Sequence, residues 1–195
     1  MNSDSKQHRL IILASGSGSN AENIIKVFRE TREADVVQVL TNNPSAGVID
    51  RCRQLDVPCG ILSPQTCKEG NRMLAILDKS QPDLIILAGY LRLIPAEVVE
   101  RFEGRIVNIH PSLLPAYGGK GMYGMHVHEA VIRNGEKESG ITIHLVNEAY
   151  DEGQVIMQQK VDVSPEETPD TLAEKIHTLE MKWFPEAIRQ LLSKE

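Results

Sequence analysis

Apolar and polar positions fall along this chain in blocks that read as short buried strands separated by amphipathic helices. Leu10 to Ala14 is an apolar run of strand length that breaks into Ser15-Gly16-Ser17-Gly18-Ser19-Asn20, and helical spacing takes over from Ala21 to about Arg29. Val36 to Leu40, Gly60 to Leu62, Leu84 to Leu87 and Ile106 to Ile109 predict further strands, with helices at Val48 to Leu55, Lys68 to Lys79 and Ala96 to Arg101 between them. Leu84 to Leu87 has no polar position, the pattern of a strand buried on both faces. This alternation predicts an α/β fold with a parallel sheet. The carboxyl-terminal third reads differently. A glycine-rich loop, 116–125, expected to overlie Asn108 and His110 as a lid, leads into a helix with His126 and His128 at its start that runs to Asn134 and Gly135. Ser139 to Val146 then alternates, with Thr142 and His144 on one face and Ile141, Ile143 and Leu145 on the other. An acidic turn separates it from Val155 to Val161, which predicts a hairpin. Thr168 or Asp170 caps a long last helix, with Leu172, Ile176, Leu179 and Trp183 as its core stripe.

The expectation is therefore a single-domain α/β fold over 9–195, following a flexible polar tail, 1–8. Its sheet is mostly parallel and Rossmann-like, with helices on both faces and a carboxyl-terminal β-hairpin plus long helix. The 195 residues suit one sizeable core. A net charge of −6, with no basic run longer than two residues, argues against nucleic acid as a partner. No signal peptide and no membrane-spanning run is visible, so a cytoplasmic protein without a membrane partner is expected. Cys52, Cys59 and Cys67 lack CxxC spacing and read as ordinary thiols. Oligomeric state is left open by the sequence.

Chemistry concentrates at Asn108-Ile109-His110-Pro111, a polar pair at the end of a strand that prolines terminate. Open α/β sheets bind ligands at such carboxyl ends. If the strand persists, Asn108 and His110 leave on one face, an amide donor beside an imidazole, suited to meeting an oxyanion and moving a proton. The alternative is a strand end whose side chains cap local backbone. Asp151, at the hairpin tip, is within reach of His110 on this reading, where it would raise the ring's pKa and orient it. As a turn former before Gly153 it needs no such role. The loop Gly16 to Asn20 presents backbone N–H groups at a helix start, a place for phosphate. Formally it also fits a dinucleotide fingerprint, which requires an acid at the end of the second strand. Thr41-Asn42-Asn43 stands there instead, and a monophosphate is preferred. A plain turn with a serine or asparagine helix cap is the remaining alternative. Tyr90 to Pro95 follows a strand end and suits a flat, partly apolar ligand, the alternative being a segment that only starts the next helix, Ala96 to Arg101, and packs on the core. His126 and His128 suggest a metal, but residues two apart diverge on a helix and no third ligand has a recognisable spacing, so none is expected.

The string Asn108 to Pro115, with Ser139-Gly140-Ile141-Thr142-Ile143-His144 and Asp151-Glu152-Gly153, resembles the formyltransferase family that uses 10-formyltetrahydrofolate. The resemblance covers Leu10 to about Pro185. The central motif is shared with methionyl-tRNA formyltransferases, whose basic carboxyl-terminal domain has no counterpart here. Gly16-Ser17-Gly18-Ser19-Asn20 and the chain length are similar to the branch whose acceptor is a phosphoribosyl amine, glycinamide ribonucleotide, in de novo purine biosynthesis. The family's hydrolase carries a second histidine where this chain has Pro111. The resemblance implies Asn108, His110 and Asp151 as the catalytic set, and Gly18, Ser19 and Asn20 as the phosphate cradle. It implies that His177 and Glu180 contact the ribonucleotide. Leu91, Arg92, Leu93 and Ile94, with Asn147, Glu148, Ala149 and Tyr150, then hold the reduced folate's pteridine. The segment around Lys120 is several residues longer than the usual form. A formyltetrahydrofolate hydrolase and a non-catalytic folate- or phosphate-binding module are the rival readings.

Overall fold

The structure, a computed structural model, describes residues 7–149 and 151–193. Among them run β1 (His8–Leu13), α1 (Ser19–Thr31), β2 (Ala34–Thr41), α2 (Val48–Gln54), β3 (Cys59–Ile61), α3 (Gly70–Ser80) and β4 (Leu84–Leu87). They continue with α4 (Ala96–Arg101), β5 (Ile106–His110), α5 (Met125–Arg133), β6 (Glu138–Leu145), β7 (Val155–Asp162) and α6 (Pro169–Leu192). The chain divides into two compact units, Met1–Val98 and Val99–Glu195.

In the first unit the strand order is β3-β2-β1-β4 and every pairing is parallel. Leu10, Ile11, Ile12 and Leu13 of β1 are fully buried, and so is all of β4, because strands flanked by crossover helices have no solvent face. The chain steps outward from β1 to β3 and returns to the far side of β1 for β4. Right-handed crossovers then set α1 and α2 on one face and α3 on the other. The reversal leaves a crevice beyond the carboxyl ends of β1 and β4, the ligand-binding position of such sheets. α1 buries Ala21, Ile24, Ile25 and Phe28, spaced as one helical face, and stops where Arg32 turns left-handed with φ 60° and donates its N–H to the Phe28 carbonyl.

In the second unit β5, β6 and β7 pair antiparallel, and β6 with β7 is the expected hairpin. The register sets Asn108 opposite His144 and His110 opposite Thr142. β6 is buried from Ser139 to His144, so its polar face is as enclosed as its apolar one. α6 opens with a reciprocal capping box between Thr168 and Thr171 and with Pro169 in its first turn. Its stripe corrects the expectation in the second half. Leu179 and Trp183 are half-buried, and the Lys182 ammonium lies 4.6 Å from the Trp183 ring centre. The buried line runs instead in steps of four from Leu172 and Ile176 to Phe184 and Ile188. The position it passes through between them belongs to Glu180. β1 already begins at His8, inside the segment read as a tail, most of which lies outside the described residues. Among the described residues no helix is long and apolar enough to cross a membrane.

Candidate functional site

The glycine loop of the first unit is fixed from several sides. Gly18 is the N-cap of α1 in a left-handed conformation, φ 77°, and no side chain caps that helix. The serine or asparagine cap considered as an alternative is therefore replaced by a backbone turn that only glycine adopts at little cost. A Cβ at Gly18 would also lie 2.5 Å from the Val48 side chain, and one at Gly47 3.3 Å from Ser17. The Val48 N–H donates to the Gly16 carbonyl (3.2 Å), and Arg51 Nε donates to the Ser17 carbonyl (2.8 Å) while its guanidinium pairs with Glu22. Gly16 and Ser17 stay exposed, and Ser19 and Asn20 are half-buried. The first N–H groups of an α-helix have no intrahelical acceptor, and the macrodipole makes this end positive. At the end of β2, Asn42 Oδ1 accepts from Ser15 Oγ (2.5 Å) and Asn43 Nδ2 donates to the Ser15 carbonyl (3.3 Å). The place where a dinucleotide site keeps its acid thus braces the loop instead.

Ser15 also links the loop to the next strand end. Its N–H donates to the Gly89 carbonyl (3.0 Å), and its Oγ accepts from the Leu91 N–H (2.9 Å). Leu91, Arg92 and Leu93 are exposed, two of them large apolar side chains, while Ile94 anchors the segment in the core.

In the second unit, Asp151 gathers four groups. Its Oδ2 lies 3.5 Å from His110 Nδ1 and accepts from the Gly119 N–H (2.9 Å). Its Oδ1 accepts from Asn108 Nδ2 (3.4 Å) and lies 3.6 Å from His144 Nε2. Asn108 Nδ2 lies 3.1 Å from His144 Nε2 as well, and His144 Nδ1 donates to the Leu145 carbonyl (2.8 Å). His110 Nε2 donates to the Tyr117 carbonyl (2.7 Å). Asp151 has φ 57°, so the turn strains its backbone to aim the carboxylate inward. Burial pushes Asp151 upward, but His144, His110 and the Gly119 N–H together hold it below the ordinary carboxylate value. Burial also pulls His110 below its ordinary value, against Asp151 and the Tyr117 carbonyl, which draw it up. Such a pair stabilises negative charge beside an acidic imidazolium.

His177 and Glu180 meet on α6, Nδ1 to Oε2 at 3.5 Å. The Glu180 carboxylate raises the pKa of both His110 and His128, in each case against a larger lowering by burial. His128 is buried on α5 while His126 is exposed, so the two diverge as helical geometry requires. Among the described residues no group of three His, Cys, Asp or Glu side chains is set to hold a metal ion. Asn147 makes a local turn, its Oδ1 accepting from the Ala149 N–H (3.1 Å), and Asn147, Glu148 and Ala149 are exposed. Tyr150 lies outside the described residues. Three contributors are absent from the candidate set read off the sequence. His144 was signalled by its place on the polar face of an alternating strand and by the string Ser139 to His144 that carries the family resemblance. The Tyr117 carbonyl and Gly119 N–H are backbone groups with no side-chain signature at all.

A family model described as formyl transferase matches residues 8–188. The chloroplastic phosphoribosylglycinamide formyltransferase of Arabidopsis thaliana is 38% identical over 190 residues, which are 94% of this chain. This chain spans only 65% of that protein's length. The phosphoribosylglycinamide formyltransferase of Bacillus subtilis (strain 168) is 35% identical, with 94% of each chain covered. Among solved structures, the phosphoribosylglycinamide formyltransferase from Bacillus halodurans superposes with a TM-score of 0.86 at 39% identity, covering 95% of this chain and 96% of that one.

Proposed function

Since the chain belongs to the formyl transferase family, we propose that it moves a formyl group from 10-formyltetrahydrofolate to the amine of glycinamide ribonucleotide, a step of purine biosynthesis. The observation that carries this reading is the meeting of Asn108 and His110, neighbours on β5, with the largely enclosed carboxylate of Asp151, 43 residues after Asn108. Gly18, Ser19 and Asn20 hold the acceptor's phosphate at the start of α1, where backbone N–H groups and the macrodipole favour a dianion. His177 and Glu180 meet its ribosyl portion. The segments 91–94 and 147–150 hold the pteridine, largely through backbone groups.

The amine nitrogen bonds to the formyl carbon, and the carbonyl electron pair moves onto oxygen. That oxyanion is met by the Asn108 amide and by protonated His110. Burial makes the His110 imidazolium a stronger acid than a solvated one, while Asp151 keeps its proton available. Collapse breaks the bond from carbon to folate N10, and N10 takes up a proton as the amine loses one, relayed by Asp151 and water. No covalent enzyme intermediate and no metal enters the scheme. Residues 9–195 act as one formyltransferase domain on this reading. The three cysteines, all free thiols, suit a reducing compartment, and we place the reaction in the cytoplasm. Neither nucleic acid nor membrane takes part.

The test follows folate release and formylated product together, with and without the amine. Amine-dependent release with matching product is the expected result. Amine-independent release with formate would identify a hydrolase, and tight ligand binding without turnover would identify a binding module.

A further inference from the structure

His110 is almost wholly buried, and both of its ring nitrogens are engaged. The tighter partner is not the carboxylate but the Tyr117 carbonyl, 2.7 Å from Nε2. A carbonyl only accepts, so Nε2 carries a proton whatever the charge of the ring. Nδ1 then is the nitrogen that gains or loses a proton, and it faces Asp151. In the neutral ring its lone pair would meet a carboxylate, an arrangement that protonation relieves.

Tyr117 holds this carbonyl in an unusual way. Its φ is 57°, a left-handed conformation that disfavours an L side chain by about 1–2 kcal/mol. Gly118 and Gly119 follow directly and adopt such a turn without that penalty. What a tyrosine adds is its hydroxyl, which donates to Glu136 Oε1 (2.7 Å) and accepts from Asn134 Nδ2 (2.9 Å) just beyond α5. Upstream, Ser112 Oγ donates to the Ala116 carbonyl (2.6 Å). Downstream, Gly119 is tied to Asp151. The residue that faces the catalytic ring is thus anchored on both sides and at its own side-chain tip.

We infer that Tyr117 is a positioning residue for His110: its hydroxyl, anchored on Asn134 and Glu136, holds its carbonyl against Nε2, and this commits proton exchange in the reaction to Nδ1. The inference rests on the formyl-transfer reading for its kinetic consequence but not for its structural one. The titratable groups set around His110 are Asp151 in the turn after β6, His144 on β6, His128 on α5 and Glu180 on α6. The Tyr117 carbonyl is the neutral member of that set, and it draws the ring's pKa upward, as Asp151 and Glu180 do.

The experiment compares wild type with Tyr117→Phe, which keeps the ring and removes only the hydroxyl. Ring-nitrogen NMR of the unliganded enzyme follows the His110 titration, assigned by its loss in His110→Gln. In Tyr117→Phe the His110 pKa is expected to fall, with mixed occupancy of the two neutral tautomers. Turnover falls roughly three- to tenfold, the order of one lost positioning hydrogen bond, while both KM values stay within about twofold. Glu136→Gln, which retains an acceptor for the hydroxyl, shifts both readouts in the same direction by less. An unchanged titration and tautomer in Tyr117→Phe overturns the inference, whatever the rate does. A changed KM at constant turnover overturns it too, since that marks a lid acting on substrate. If wild type itself transfers no formyl group, the functional reading fails, and the titration still decides the role of Tyr117.

Discussion

The glycine loop of the first unit and the Asp151 cluster of the second hold their polar groups in opposite ways. The loop is braced from outside, by Val48 against Gly18, by Arg51 on the Ser17 carbonyl and by Ser15 on its neighbours. Its tip stays exposed, and its shape is complete before any ligand arrives. In the cluster, buried side chains take up one another's hydrogen bonds. Both Asn108 Nδ2 contacts and both His110 nitrogens are occupied within the protein. A preformed concavity needs only to be filled, whereas a self-paired cluster must exchange a partner to act on a substrate. Damage to the first should appear in binding and damage to the second in turnover.

The largest effect expected is in the cluster. Asn108→Ala or His110→Ala should lower turnover on the order of a hundredfold or more, by the usual worth of an oxyanion donor, with the amine's KM little changed. Intact turnover in Asn108→Ala would remove that residue from the mechanism. Next comes Gly18→Ala, which sets a methyl group 2.5 Å from Val48 at a φ of 77°. Here the amine's KM should rise about tenfold, corresponding to a left-handed penalty of roughly 1–2 kcal/mol, while turnover holds. Adding Val48→Ala tests the cause. It removes Val48 Cγ2 but leaves Val48 Cβ at 2.5 Å, Cα at 2.8 Å and the left-handed backbone, so most of the KM increase should persist. A fall in turnover with unchanged KM would erase the contrast between the two regions.

The two regions were also unequally legible in the sequence. Strand and helix blocks were readable because continuous apolar runs and period-3.6 stripes leave few alternatives, and β1, β4 and α1 lie where they were expected within a few residues. Asn108, His110 and Asp151 stood out as polar residues at strand and hairpin ends. The loop's glycines were legible as a turn, but not the reason for Gly18, because Val48 approaches it from thirty positions away. The stripe of α6 was misassigned at Leu179 and Trp183, since several four-residue rows fit one apolar pattern and packing chooses between them. The row it chose passes through Glu180, which the sequence marked as a site residue only through the family resemblance and not by its place on the helix. Backbone contributions from Tyr117 and Gly119 had no signal to find.

A smaller effect sharpens the loop half of the comparison. Glu22 lies in the first turn of α1, an acid close to where a dianion would be held, and Arg51 and Lys26 pair with it. Arg51→Ala should raise the amine's KM roughly two- to fivefold, a modest effect because the pair is partly exposed and screened. It removes both a brace on the Ser17 carbonyl and the partner of Glu22. Adding Glu22→Gln separates the two. Recovery of KM in the double variant assigns the effect to charge, and no recovery assigns it to the brace.

The smallest effect concerns acid stability, and it again divides the regions. His110 is held by burial below its ordinary value of 6.5, so the unfolded chain takes up a proton first as pH falls. Stability is therefore lost as pH drops through 6.5 toward the folded value. Asp151 is also depressed, below 3.8, and its contribution is full above that value and fades only at lower pH. Between pH 7.5 and 5 the cluster's proton-linked loss thus comes from His110, and His128 on α5, lowered by burial in the same sense, adds to it. Urea midpoints across that window should fall less steeply for His110→Gln than for wild type. Gly18→Ala, in a region with no such buried imidazole, should start lower and run parallel to wild type. Parallel slopes for both variants would mean that His110 gains its proton without penalty in the folded protein, and that its burial is not what makes its imidazolium acidic.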